Sequence, residues 1–108
     1  MRLIRFHGRS LGVIRAFPPT ARREIGYQLD RVQRGLEPND WKPMPQIGKG
    51  VKELRVRENG QFRVVYLSDF DQKVDVLHAF RKKTRKTPLQ DIRTARKALS
   101  KLRTRQYD

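Results

Sequence analysis

Apolar residues recur at helical spacing in residues 19–35. Their separations of four, three and four place one apolar side chain per turn on a single helix face. Pro19 suits the first turn of a helix and Gly35 suits its end. The pattern therefore predicts a helix over residues 19–35 whose buried face carries Ile25, Leu29, Val32 and Leu36.

Residues 51–80 instead alternate between apolar and polar positions, which is typical of strands. Two runs, 51–58 and 61–68, flank Asn59-Gly60, a strong signal for a tight hairpin turn. A third run, 73–80, follows a turn predicted at residues 69–72. These runs predict a three-stranded antiparallel meander.

The same alternation assigns faces to the strands. On the first strand Glu53, Arg55 and Arg57 share one face, and on the third strand the predicted shared face carries Val74, Val76, His78 and Phe80. A two-residue turn would place Arg55 opposite Val64 and Arg63 on the other face. A bulge or a longer turn would change this register.

Shorter signals complete the order of elements. Residues 2–7 predict a first strand, and residues 11–17 a helical turn ended by Pro18-Pro19. Three prolines and two glycines predict that residues 37–50 form a loop without regular structure. Trp41 either pins this loop to the core or binds a ligand.

The last element is a helix over residues 88–103. Thr87 and Gln90 form a capping box around Pro88. Its apolar face is predicted to carry Ile92, Ala95, Leu99 and Leu102. The order of elements predicts a single α+β domain, residues 1–108, with helices packed on one side of a small antiparallel sheet.

Charge narrows the range of partners. The 108 residues carry 26 Lys and Arg against 11 Asp and Glu, and residues 81–105 hold eleven of those cations with only Asp91 as an acid. Such a concentration of positive charge favours binding to a polyanion, above all nucleic acid. The absence of cysteine excludes thiolate metal sites and a cysteine nucleophile. With no apolar run long enough for a signal peptide or a membrane span, we expect a cytoplasmic protein without a membrane partner.

Three segments resemble the phage-derived branch of the RelE/HigB toxin superfamily. They are Lys52-Glu53-Leu54-Arg55, Phe62-Arg63-Val64-Val65-Tyr66, and the string His-Ala-Phe-x-Lys-Lys-Thr-x-Lys-Thr-Pro at residues 78–88. The resemblance extends to the order of elements over nearly the whole chain, and it implies a RelE-like fold.

The resemblance also implies a function. Such toxins typically act as metal-independent endoribonucleases without a cofactor, and many cut mRNA on the ribosome. An antitoxin from the same operon silences them; in this branch it often carries a helix-turn-helix, so that operator DNA is contacted only through it. Two alternatives stay open: a non-catalytic basic module that binds RNA or the ribosome, and a ParE-like gyrase inhibitor on the same fold.

RNA cleavage by the substrate's 2′-OH needs proton transfer and cations that stabilise the phosphate. Arg55 and Arg63 are the candidates for holding the phosphate, and each has an ordinary sheet-face arginine as its alternative. His78 is either an acid–base group or a buried core histidine. Lys82 and Lys83 either transfer protons, if cationic neighbours lower their pKa, or only bind phosphate.

Further residues are candidates for binding the RNA strand. They are Lys52, Arg57, Phe80, Arg81, Arg85 and Lys86. Phe80 could stack on a base or simply fill the core. Related toxins often use a tyrosine late in the chain, but neither Tyr66 nor Tyr107 matches that role, so the identity of the general base stays open.

Overall fold

A computed structural model describes the backbone of residues 1–68 and 72–107, with side chains up to Thr104. Its elements are β1 (Leu3–Phe6), α1 (Ser10–Arg15), α2 (Pro19–Gln33), β2 (Trp41–Pro43), β3 (Val51–Arg57), β4 (Gln61–Ser68), β5 (Lys73–Arg81) and α3 (Leu89–Tyr107). The predicted turn at 69–72 falls largely on residues 69–71, which lie outside the described residues.

The strands form one five-stranded sheet in the order β1-β5-β4-β3-β2. The predicted meander β3-β4-β5 is antiparallel throughout. β1 instead pairs with β5 in parallel, from Leu3 opposite Lys73 to Phe6 opposite Val76, so the expectation of a wholly antiparallel sheet is wrong at this edge. The α+β class and the RelE-like architecture are confirmed.

Helices cover both faces of this sheet. α1 and α2 pack with Val64 and Val76 on one face, whereas α3 packs with Val65 and Leu77 on the other. The prediction that all helices lie on one side is therefore wrong. Because neighbouring residues of the central strands are both apolar and point to opposite faces, each face needs a cover.

The helix α2 buries Ile25, Leu29 and Val32 as predicted, but Leu36 is exposed. Gly35 adopts φ 84° just after the helix, and this turn carries the chain away before Leu36 can reach the core.

The proline-rich segment contains the short edge strand β2, which pairs with β3 from Trp41 opposite Leu54 to Pro43 opposite Lys52. The prediction of a loop without regular structure is therefore wrong for these three residues. An edge strand needs hydrogen bonds on one side only, and it can therefore tolerate Pro43, which has no N–H to donate.

The loop of the hairpin between β3 and β4 is one residue longer than predicted, because β3 ends at Arg57. Arg57 pairs with Gln61, which leaves a three-residue loop with Asn59 at φ 57° and Gly60 at φ 150°. Loops of this length are common in hairpins and take a left-handed residue. The longer turn shifts the register by one, so Arg55 lies directly opposite Arg63, and not opposite Val64.

A second irregularity changes the faces of β5. The β4–β5 pairing slips between Val65 and Tyr66, so that Leu77 is an extra residue on β5. Beyond it, Ala79 packs toward α2 and Phe80 toward α3. The predicted common face of Val74, Val76, His78 and Phe80 is therefore wrong past Val76.

Candidate functional site

A buried carboxylate lies between two arginines on the α3 face of the hairpin. Glu53 is completely buried, and its Oε1 lies 3.4 Å from Arg63 Nε and 3.8 Å from Arg55 Nε. Thr87, just before α3, donates its hydroxyl to Glu53 Oε2 at 3.3 Å. Because Oε1 and the two Nε atoms form no hydrogen bond within the described part of the chain, charge attraction is what holds them together.

The two arginines differ in their access to solvent. Arg63 has 4% of its side chain exposed and donates from Nη1 to the Phe62 carbonyl and from Nη2 to Gln61 Oε1, at 3.1 and 2.7 Å. Arg55 has 27% of its side chain exposed, and its Nη1 lies 3.9 Å from Asp40 Oδ1. Arg55 is therefore the arginine that can contact a ligand, whereas Arg63 adds a buried positive charge beside it.

Burial lowers the pKa of Arg63, although Glu53 acts in the opposite direction. A guanidinium remains protonated across the physiological range despite such a shift. The two arginines are therefore balanced by two carboxylates, Glu53 and Asp40, and the neighbouring cations Arg57 and Lys82 make the cluster net positive.

Lys82 follows directly on β5 and is half-buried beside this cluster. Its backbone N–H donates to the Gln61 carbonyl at 2.7 Å, which ties it to β4. Burial, and after it the charge of Arg63, lower the pKa of the Lys82 ammonium. A larger fraction of its amine is therefore neutral, as a group that accepts protons requires.

His78 and Phe80 connect the cluster to α3. Their rings stack with centroids 5.4 Å apart, and Phe80 lies opposite Arg63 on the neighbouring strand. His78 Nε2 shares a hydrogen bond of 2.7 Å with Asp91 Oδ1 in the first turn of α3. Asp91 thus holds the His78 ring at this nitrogen, and the ring links Phe80 to the start of α3.

The chain matches a known protein family over most of its length. Residues 13–100 match the family described as Phage derived protein Gp49-like (DUF891). The chain belongs to this family. The resemblance noted in the sequence, to the phage-derived branch of the RelE/HigB superfamily, is thereby confirmed. No curated protein sequence matches the chain.

Solved structures show the same fold for this Gp49-like protein. A mutant of the E. coli toxin RelE in the free state superposes with a TM-score of 0.63 at 19% identity, covering 94% of this chain and 97% of that one. A chain of the intact E. coli RelBE toxin–antitoxin complex gives a TM-score of 0.57 at 19% identity, covering 78% of this chain and 100% of that one. The RelBE2 complex of Mycobacterium tuberculosis gives 0.54 at 18%, covering 75% and 98%.

The Gp49-like chain does not bring all of the predicted residues to one place. Lys52 lies on the opposite face of β3, where Glu37 binds it at 3.1 Å and the Trp41 ring lies 4.5 Å away. Arg81 also faces away, with its guanidinium 5.4 Å from the Phe62 ring. The remaining candidates are exposed: Arg57, Lys83, Arg85 and Lys86.

Three residues of the cluster were missed from the sequence: Glu53, Thr87 and Asp91. Glu53 stands in the Glu-Leu-Arg segment already noted, and its place on the face of Arg55 was the available signal. Thr87 and Asp91 were interpreted only as helix-start residues. Their contacts with Glu53 and His78 depend on how α3 docks, which no local pattern reveals.

Two searches of the described residues are negative. No group of three or more His, Asp and Glu side chains there is arranged to hold a metal ion. No described helix is long and apolar enough to cross a membrane.

Proposed function

We propose that this Gp49-like protein is the toxin of a type II toxin–antitoxin pair and cleaves RNA in the cleft formed by β3, β4 and the loop after β5. The observation that carries the proposal is the Arg55–Arg63 pair around buried Glu53, with Lys82 of lowered pKa beside it. These groups supply a phosphate site and a proton acceptor side by side.

The reaction would use the 2′-OH of the RNA as its nucleophile. The 2′-oxygen attacks phosphorus, the bond to the 5′-oxygen breaks, and the products carry a 2′,3′-cyclic phosphate and a 5′-OH. Lys82 Nζ takes the proton of the 2′-OH, and the exposed ammonium of Lys83 or Lys86 returns a proton to the 5′-oxygen.

Arg55 binds the phosphate in this scheme. Its guanidinium is exposed enough to reach a ligand, and its planar donors match two phosphate oxygens. Arg63 and Glu53 are positioning residues: Glu53 fixes the guanidinium of Arg55, and Arg63 raises the positive potential beneath it. Preorganised charge of this kind acts most strongly where water is partly excluded.

An antitoxin partner follows from the same proposal. Two of the matched chains come from the RelBE and RelBE2 toxin–antitoxin complexes. A partner that covers the cleft would face the exposed cations Arg57, Lys83, Arg85 and Lys86, so we expect its contact segment to be acidic. The ribosome and its mRNA are the proposed targets of the free toxin.

Non-catalytic RNA binding is the second candidate, favoured by the burial of Arg63 and by the exposed cations of residues 83–86. The test is to induce expression of the protein, measure the rate of translation and map the ends of the mRNA. The proposed toxin arrests growth and cuts translated mRNA. A protein that binds ribosomes and leaves mRNA intact would establish the second candidate in its place.

A further inference from the structure

A cavity of about 710 Å³ lies between α1 and α3, where β1 ends beside β5. The end of β1, the start of α1, the strand β5 and the helix α3 form its walls, and Arg9 lies on its rim before α1. Its volume falls within the range of about 300–1,000 Å³ that is typical of sites for small organic ligands. None of the cleavage roles proposed above uses it.

The walls of this cavity separate into an apolar part and a cationic part. Phe6, Val13 and Leu77 provide apolar surface, whereas the ammonium-bearing side chains of Lys97 and Lys101 lie along the exposed side of α3. Apolar surface suits a nucleobase, and two ammonium groups suit a phosphate. Gln90 and Thr94 add hydrogen-bonding groups between them.

Two histidines line the cavity, and an aspartate holds each of them. His7 Nε2 lies 2.8 Å from Oδ1 of Asp75, which is completely buried, and His78 Nε2 lies 2.7 Å from Asp91 Oδ1. The aspartates fix both rings in place. Fixed flat rings are suitable surfaces for stacking a base.

His78 belongs to the cavity and also reaches the cleft. Its ring lines the cavity and stacks on Phe80, which lies opposite Arg63. Phe80 itself is buried beneath α3, so a strand whose phosphate binds at Arg55 would reach the cavity along His78.

The geometry points to a second nucleotide-binding subsite in this cavity, which holds one nucleotide of the RNA beside the one that is cut. The base lies against Phe6, Leu77 and the histidine rings, and its phosphate binds Lys97 and Lys101. This inference rests on the proposed function for its RNA strand, but binding of a single nucleotide is testable without any cleavage.

The test is a titration of the purified protein with adenosine 5′-monophosphate, in which the NMR signals of the His7 ring report binding. His7 lines the cavity and forms no part of the proposed cleavage cluster. We expect a saturable shift, and in Lys97→Ala/Lys101→Ala a loss of affinity of at least about tenfold. The matched control Arg23→Ala/Lys49→Ala removes the same charge elsewhere and should leave the affinity unchanged.

Three results would overturn the subsite: no shift of the His7 signals, equal affinity for inorganic phosphate alone, or equal weakening in the control variant. A shift of the same signals by an acidic antitoxin peptide with none by the nucleotide would assign the cavity to the antitoxin and would also overturn it. An RNA-cleavage assay on the same preparation separates this failure from failure of the proposed function.

Discussion

Arg55 and Arg63 lie directly opposite each other on β3 and β4, on the face of the sheet that carries α3. Two like charges in this position repel each other. Glu53, two residues before Arg55 on the same face, places a buried carboxylate between their Nε atoms. The two arginines are therefore stable together only with Glu53. Substitution of each of the three residues should have a different effect on stability and activity.

Replacing Glu53 by glutamine should destabilise the fold. The change removes the buried negative charge between two arginines, and breaking such a buried pair typically costs on the order of 3–5 kcal/mol. Chemical denaturation measures the loss in the free energy of unfolding. Glu37→Gln is the matched control, because Glu37 pairs with Lys52 at the surface and should cost about 1 kcal/mol or less. Equal losses in both variants would contradict the role given to Glu53.

The two arginines should separate activity from stability. Arg55→Ala should lower the rate of RNA cleavage about 10²–10³-fold, as the loss of one stabilising donor does, with little change in unfolding. Arg63→Ala should mainly lower the free energy of unfolding, because its guanidinium is buried and holds Gln61, Phe62 and Glu53. Parallel denaturation and cleavage measurements on both variants check this. If Arg55→Ala lowered only the free energy of unfolding and Arg63→Ala lowered only the rate of cleavage, Arg55 would be excluded as the phosphate ligand.

Cleavage should rise with pH as Lys82 loses its proton. Because burial and Arg63 lower its pKa, the rise should occur below the pH at which an ordinary lysine titrates. Lys82→Arg stays protonated at every accessible pH, so it should flatten the profile and lower the rate about 10²–10⁴-fold while RNA binding persists. Lys49→Arg, on a distant exposed loop, is the control. A wild-type profile in Lys82→Arg would remove Lys82 from proton transfer.

The hairpin explains why the sequence predicted the elements better than the site. Alternation located β3, β4 and β5 closely, and Asn59-Gly60 located their turn. The length of that turn and the extra residue at Leu77 depend on side-chain packing across the whole sheet. Each of these features shifts the register of a strand by one residue. Local sequence patterns therefore could not predict the cross-strand partner of Arg55 or the face of the sheet on which Phe80 lies.

The helices show the same limit. The apolar faces of α2 and α3 were predictable because each repeats at helical spacing, and Ile25, Leu29, Ala95, Leu99 and Leu102 are buried as expected. The side of the sheet to which each helix docks is a tertiary property. The contacts of Thr87 with Glu53 and of Asp91 with His78 form only through the docking of α3, and so they could not be predicted without it.

The three-residue turn that fixes this register is itself testable. Gly60→Ala should destabilise the protein by about 1–3 kcal/mol, because φ 150° is unfavourable for alanine, whereas the Arg81 guanidinium 2.9 Å from the added Cβ can move aside. Gly26→Ala, inside α2 with open space around it, should stabilise by about 0.5–1 kcal/mol. Thermal denaturation of the two variants gives the comparison. Opposite signs support the observed turn, and a neutral Gly60→Ala would contradict it.

The most direct test of the account is the chemistry of the RNA ends after purified protein acts on translating ribosomes. We predict mRNA fragments ending in a 2′,3′-cyclic phosphate and beginning with a 5′-OH, and their near absence with Arg55→Ala, whose fold is retained. Intact mRNA with the folded wild-type protein, or fragments with 3′-OH and 5′-phosphate ends, would contradict the proposal that this cleft cleaves RNA through the 2′-OH.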